Sequence, residues 1–102
     1  MIPEITERRA ELEDLCRRFQ VGRLDVFGSA ATGKFNSQKS DLDFLVAFKA
    51  PDRPGYADRY FGLLEALERL FARPVDLVVD SAIKNPFFRE SIERSKVLLY
   101  AA

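Results

Sequence analysis

The sequence predicts an α/β (α+β) fold: a small mixed β-sheet of three to four strands with helices packed against it. Three observations carry that prediction. Apolar residues recur at helical spacing in two separate stretches, short apolar runs bounded by glycine, proline and polar residues lie between and after them, and the two periods alternate along the chain. At 102 residues the length prior is one domain, 1–102, and a chain of this size buries roughly two-thirds of its unfolded surface. Its 47% apolar content, with nine Phe, is enough to fill a core.

Residues Pro3 to Gln20 place Ile5, Leu12, Leu15, Cys16 and Phe19 at helical spacing, with Pro3 suited to a first turn and Gly22 to a stop. Arg23 to Phe27 reads as a short strand ending at Gly28. Leu42 to Phe48 is a more apolar strand, of the kind buried on both faces. A polar, glycine-containing loop joins the two. After the breakers from Pro51 to Gly55, the residues Tyr60, Leu63, Leu64, Leu67, Leu70 and Phe71 recur at amphipathic-helix spacing, and Pro74 ends the run. Val75 to Val79 is a third strand. Asn85 and Pro86 form a cap and first-turn pair for a last helix to about Arg94, and Lys96 to Tyr100 can add an edge strand.

Charge and cysteine content then limit the function. The 16 basic residues balance 16 acidic ones, and a net charge of zero argues against broad binding to nucleic acid or anionic membranes, which needs a positive field. No apolar run approaches the roughly 18 residues of a membrane helix. The N-terminus is acidic and lacks a signal peptide's apolar stretch, so a cytoplasmic location is expected. Cys16 is the single cysteine and lies on the apolar helix face, which reads as core. There is no His, so a zinc site is nearly excluded and any metal is held by carboxylate oxygens, the ligands of magnesium or manganese.

If the first two strands pair antiparallel, the end of the first, carrying Gly28 and Ser29, lies beside the start of the second, carrying Asp41 and Asp43. The helical connection that follows is long enough for a parallel, right-handed crossover, so the third strand begins at the same edge with Asp76. Asp41 and Asp43 are two apart on an extended chain and point to one side. Three carboxylates around two magnesium ions can clamp a triphosphate, stabilise leaving pyrophosphate and lower the pKa of an incoming hydroxyl. Asp76 is the base or a shared ligand. Gly28 lets backbone approach phosphate oxygens, Ser29 offers a hydroxyl and an N–H, and a helical turn after them would add amide donors. The expected site performs phosphoryl transfer.

Gly28-Ser29, the run Ser40-Asp41-Leu42-Asp43-Phe44-Leu45-Val46 and the later Val75-Asp76-Leu77-Val78 resemble the nucleotidyltransferase superfamily that includes DNA polymerase beta and kanamycin nucleotidyltransferase. The short length and the ending from Ile83-Lys84-Asn85-Pro86 to Leu99-Tyr100 are similar to its minimal members, called MNT, over nearly the whole chain. The resemblance implies catalytic and metal-binding roles for Asp41, Asp43 and Asp76, and nucleotide or phosphate binding by Gly28, Ser29, Gly33 and Ser40. It also implies Mg2+ and ATP as cofactors and transfer of a nucleoside monophosphate to a hydroxyl. Many MNT proteins are similar to antitoxins that attach AMP to a tyrosine of a helical HEPN toxin, which makes that partner the expected acceptor. Larger transferases of this kind close a second domain over the nucleotide; here a hetero-oligomer with the helical partner is expected to complete the site.

The sequence departs from the family at Ala31-Thr32-Gly33, where Ala-Arg-Gly is frequent, and so loses a bidentate phosphate donor; Lys34 or Lys39 could compensate as a point charge. That departure supports a second expectation, a non-catalytic antitoxin that binds nucleotide or protein and neutralises its partner by occlusion. A third reading takes Gly28-x-x-x-x-Gly33-Lys34 as a P-loop, but Phe35 stands where Ser or Thr should bind magnesium. Asp25 and Asp80 are expected to face solvent. Tyr56, Tyr60 and Phe61 read as packing residues, and Lys84 and Arg89 have no assigned role.

Overall fold

Residues 1–33 and 41–102 are described by a computed structural model of the chain. The strands are β1 (Val21–Phe27), β2 (Leu42–Phe48), β3 (Val75–Val79) and β4 (Val97–Ala101), and they form one mixed sheet in the order β3-β2-β1-β4. β1 pairs antiparallel with both β2 and β4, whereas β2 and β3 are parallel. The expected antiparallel pair, parallel crossover and edge strand are all present. The helices are α1 (Pro3–Glu7), α2 (Arg9–Arg18), α3 (Ser29–Thr32), α4 (Tyr56–Phe71) and α5 (Pro86–Ser95), with a 3-10 turn at Asp80–Ala82.

The sheet separates two apolar clusters of unequal size. On one face, Leu24, Val26, Leu42, Phe44, Val46 and Leu77 pack with Ile5 of α1, Leu12, Leu15 and Cys16 of α2, and Leu63 and Leu67 of α4. On the other, Phe27 and Leu45 meet Ile92 of α5. β2 therefore alternates between two buried faces, which is why its sequence reads as a near-continuous apolar run. α5 starts at Asn85, whose side-chain oxygen accepts from the Phe87 and Phe88 amides, with Pro86 in the first turn.

Several expected boundaries differ: β1 starts at Val21 and not at Arg23, and β4 covers Val97–Ala101 and not Lys96 to Tyr100. The first helical stretch is broken at Arg8 (φ −108°, ψ 17°); on its N-terminal side the Ile2 amide donates to the Ala30 carbonyl of α3, and Ile2 and Ile5 are buried. Gln20, in the left-handed region at φ 59°, ends α2 in place of Gly22. Gly22 instead lies inside β1 at an irregularity in the register, where a Cβ would stand 3.2 Å from the Ala47 carbonyl oxygen.

Both edge strands have a carbonyl taken by a helix side chain. The Tyr60 hydroxyl donates to Leu77 O at 2.6 Å on β3, and the Arg9 guanidinium donates to Leu99 O at 2.9 Å on β4. Among the described residues no helix is long and apolar enough to cross a membrane.

Candidate functional site

Phe27, the last residue of β1, is the register partner of Asp43 on β2, and Asp43 is the partner of Asp76 on β3. Strand pairing thus sets the two carboxylate-bearing residues side by side on adjacent strands, roughly 4.8 Å apart across the ladder. Leu42 and Phe44 point into the larger core, so Asp43 between them faces the α5 side, in line with Leu45 and Phe27. Asp43 is half-buried; Asp76 and Asp41, the latter one residue before β2, are exposed.

Burial, followed by the charges of Asp76 and Asp41, pushes the Asp43 carboxyl up to about 6. Clustered carboxylates raise one another's proton affinity in this way, because each added negative charge disfavours the next. Tyr60 senses the same field: burial first, then Asp76, raises its hydroxyl above the ordinary range. A divalent cation would relieve this repulsion, and the donors are hard oxygens throughout, so the residues fit magnesium. Among the described residues no group of three or more His, Cys, Asp or Glu side chains is arranged to hold a metal ion by itself. An open arrangement is what magnesium uses when phosphates and water complete its shell.

The Gly28 turn lies against these acids. Gly28 has φ 70° and ψ −148°, and a Cβ there would stand 2.7 Å from Asp43 Oδ2. Both the left-handed φ and the contact require glycine. Its carbonyl accepts from the Ala31 and Thr32 amides and opens α3, the expected helical turn, while its N–H donates to the Ser95 hydroxyl at 3.0 Å. Ser29 is the first residue of that turn, and Gly33 closes it at φ 85°. Thr32, where an Arg was the alternative, donates its hydroxyl to Gly28 O at 3.3 Å. The P-loop reading fails on structure as well, because a helical turn occupies positions 29–32 that such a loop leaves open. Ser40, Lys34, Phe35 and Lys39 lie outside the described residues.

One expectation is overturned. Asp25 does not face solvent: it is 1% exposed and held by Arg23 through two hydrogen bonds of 2.9 and 3.2 Å. Its position on β1 puts it two residues from Phe27, on the α5 side, and the Arg23 fork supplies the counter-charge that burial demands. Asp80 is half-exposed and bonded to Arg89 at 2.5 Å, so Arg89 is engaged away from the acid row. Tyr56 and Tyr60 pack against the core as expected, whereas Phe61 is 58% exposed. Sequence reasoning missed Ser95, 67 positions from the glycine it contacts, because no spacing rule links a helix-end serine to a distant turn.

Comparison with known proteins gives a consistent result. The nucleotidyltransferase domain family matches residues 9–99. A relative from Methanocaldococcus jannaschii named "Putative protein adenylyltransferase MJ1379" is 31% identical over 96 residues, spanning 94% of this chain and 92% of the relative. A solved structure described as that of a "putative minimal nucleotidyltransferase" superposes with a TM-score of 0.74 at 34% identity, covering 91% of this chain and 90% of its own. The fold is also that of a chain in the complex of a tri-AMPylated Shewanella oneidensis HEPN toxin with MNT antitoxin, at TM-score 0.65 and 16% identity, covering 95% of this chain and 72% of that one.

Proposed function

The chain belongs to the nucleotidyltransferase domain family, and from that membership we propose that it is a magnesium-dependent enzyme transferring AMP from ATP to a tyrosine hydroxyl of a helical HEPN toxin, acting as its antitoxin. One observation carries the proposal: Asp43 and Asp76 are register partners on adjacent strands, beside a glycine turn whose Cα leaves no room for a side chain. The name of the Methanocaldococcus jannaschii relative supports a protein acceptor, and the AMPylated toxin in the Shewanella oneidensis complex supports the choice of partner.

The chemistry assigned to these residues is a substitution at the α-phosphorus of ATP. The acceptor oxygen forms the new P–O bond, the bond to the bridging oxygen breaks, and pyrophosphate leaves. Asp41, Asp43 and Asp76 would hold magnesium, which supplies neutralisation of the triphosphate charge. Asp76, the exposed acid, accepts the acceptor's proton. The half-buried Asp43 occupies the space that a Cβ at Gly28 would need, so the turn and the acid lie close together. Gly28, Ser29, Gly33 and Ser40 are assigned to phosphate binding.

The test uses labelled ATP, magnesium and a purified HEPN partner. Label should appear on the partner, with a mass increment matching AMP, and Asp41→Asn or Asp43→Asn should reduce transfer by at least about a hundredfold, the scale of losing a preorganised electrostatic contact. Full neutralisation of the toxin by the double variant, with no label transferred, would instead establish inhibition by occlusion.

A further inference from the structure

Ser95 is the last residue of α5, and its hydroxyl meets the turn that the proposed nucleotide site is built on. The β1–β4 ladder ends at the pair Val26 and Val97. Beyond it the β4 side is no longer a strand, since the Lys96 amide closes α5 by donating to Ile92 O at 2.8 Å. The Gly28 N–H, which points to that side, therefore has no strand carbonyl to meet. Ser95 Oγ takes it at 3.0 Å.

The amide can only donate in this contact, and a second bond occupies the serine's own proton. Ser95 donates its own proton to Ser91 O at 3.4 Å, one helical turn back, which leaves its lone pairs toward Gly28. Gly28 is then constrained at both backbone polar groups, N–H to Ser95 and carbonyl to the Ala31 and Thr32 amides, and Asp43 Oδ2 leaves no room for a Cβ. Glycine at φ 70° has the widest conformational freedom of any residue, so a turn built on it needs external contacts to stay in one state.

We infer that Ser95 is a positioning residue: its hydroxyl fixes the Gly28 peptide plane and thereby the placement of Ser29 relative to Asp43, joining the α5–β4 junction to nucleotide affinity. The inference rests on the proposed nucleotide site. A merely structural role would make Ser95 another helix-end side chain, whose loss lowers stability and leaves ligand affinity alone.

The experiment titrates the 15N-labelled full chain with ATP and magnesium, following Kd by calorimetry and the Gly28 amide by hydrogen exchange. Ser95→Ala should weaken ATP binding about five- to tenfold, the factor one neutral hydrogen bond supplies, and should speed exchange of the Gly28 amide. Ser95→Thr, which keeps the hydroxyl, should restore both. Asn85→Ala, which removes the cap at the far end of α5, is the stability control and should leave Kd within about twofold. The inference is overturned if folded Ser95→Ala binds ATP as wild type does, if Gly28 exchange is unchanged, or if Asn85→Ala weakens binding equally. A wild-type chain that does not bind ATP sinks the nucleotide site first and this inference with it.

Discussion

Asp43 concentrates the tension between stability and chemistry in a single side chain. Its folded-state pKa is raised above the unfolded value, so the stability it contributes is fully present below about pH 4 and is lost as pH rises through about 6. In metal-free protein Asp43→Asn should therefore raise Tm by about 2–5 °C at pH 7.5 and leave it unchanged near pH 3.5, read by thermal scans at both values. Equal Tm at pH 7.5 would remove the repulsion argument. Cys16 provides a second residue-scale readout. Burial, with a smaller push from Glu13, carries its thiol to about 12, so iodoacetamide at pH 8.5 should alkylate it only when the chain unfolds. The three acids Asp41, Asp43 and Asp76 were legible as candidates because Asp-x-Asp at the start of an apolar run and a lone Asp opening the next strand are local patterns. The burial of Asp25 was not, since alternation along β1 does not say that α5 will cover its second face.

At the scale of elements, α5 connects the cap at Asn85 to the turn at Gly28. Removing the cap with Asn85→Ala should cost about 1 kcal/mol by urea denaturation, and Asn85→Ser should recover most of it; no loss would mean that the two amides find water at no cost. Gly28→Ala faces both a disfavoured φ and a 2.7 Å approach to Asp43, so it should abolish ATP binding while the rest of the backbone spectrum persists. Helices α4 and α5 and all four strands were readable from periodicity and cap chemistry. The break between α1 and α2 was not readable, because Arg8 is an ordinary helix residue, and neither was the anchoring of the segment before it by the remote Ile2–Ala30 hydrogen bond. The short α3 was anticipated only as a possible turn after glycine.

For the whole molecule, stability rests on one large cluster to which both central strands contribute. Phe44 is fully buried between Val26 and Leu77 in the strand register and stacks on Phe71 at 5.9 Å. Phe44→Ala should cost about 3–5 kcal/mol, a large fraction of a small domain's total, measured by denaturant midpoint. The smaller cluster, in which among the described residues Phe27, Leu45 and Ile92 are buried, secures α5 on the sheet, so this half of the molecule should open first in hydrogen exchange. The sequence by itself determined the fold class and the strand order along the chain and singled out the candidate acids, because hydrophobic period, breakers and short motifs are local properties. Only the tertiary structure decided which groups meet: the register that pairs Asp43 with Asp76, the Arg23 fork that makes a buried Asp25 tolerable, and the serine of α5 that holds the Gly28 turn. Those contacts join residues far apart in the chain, and their geometry follows from how the sheet twists and the helices pack across it, which no local pattern encodes.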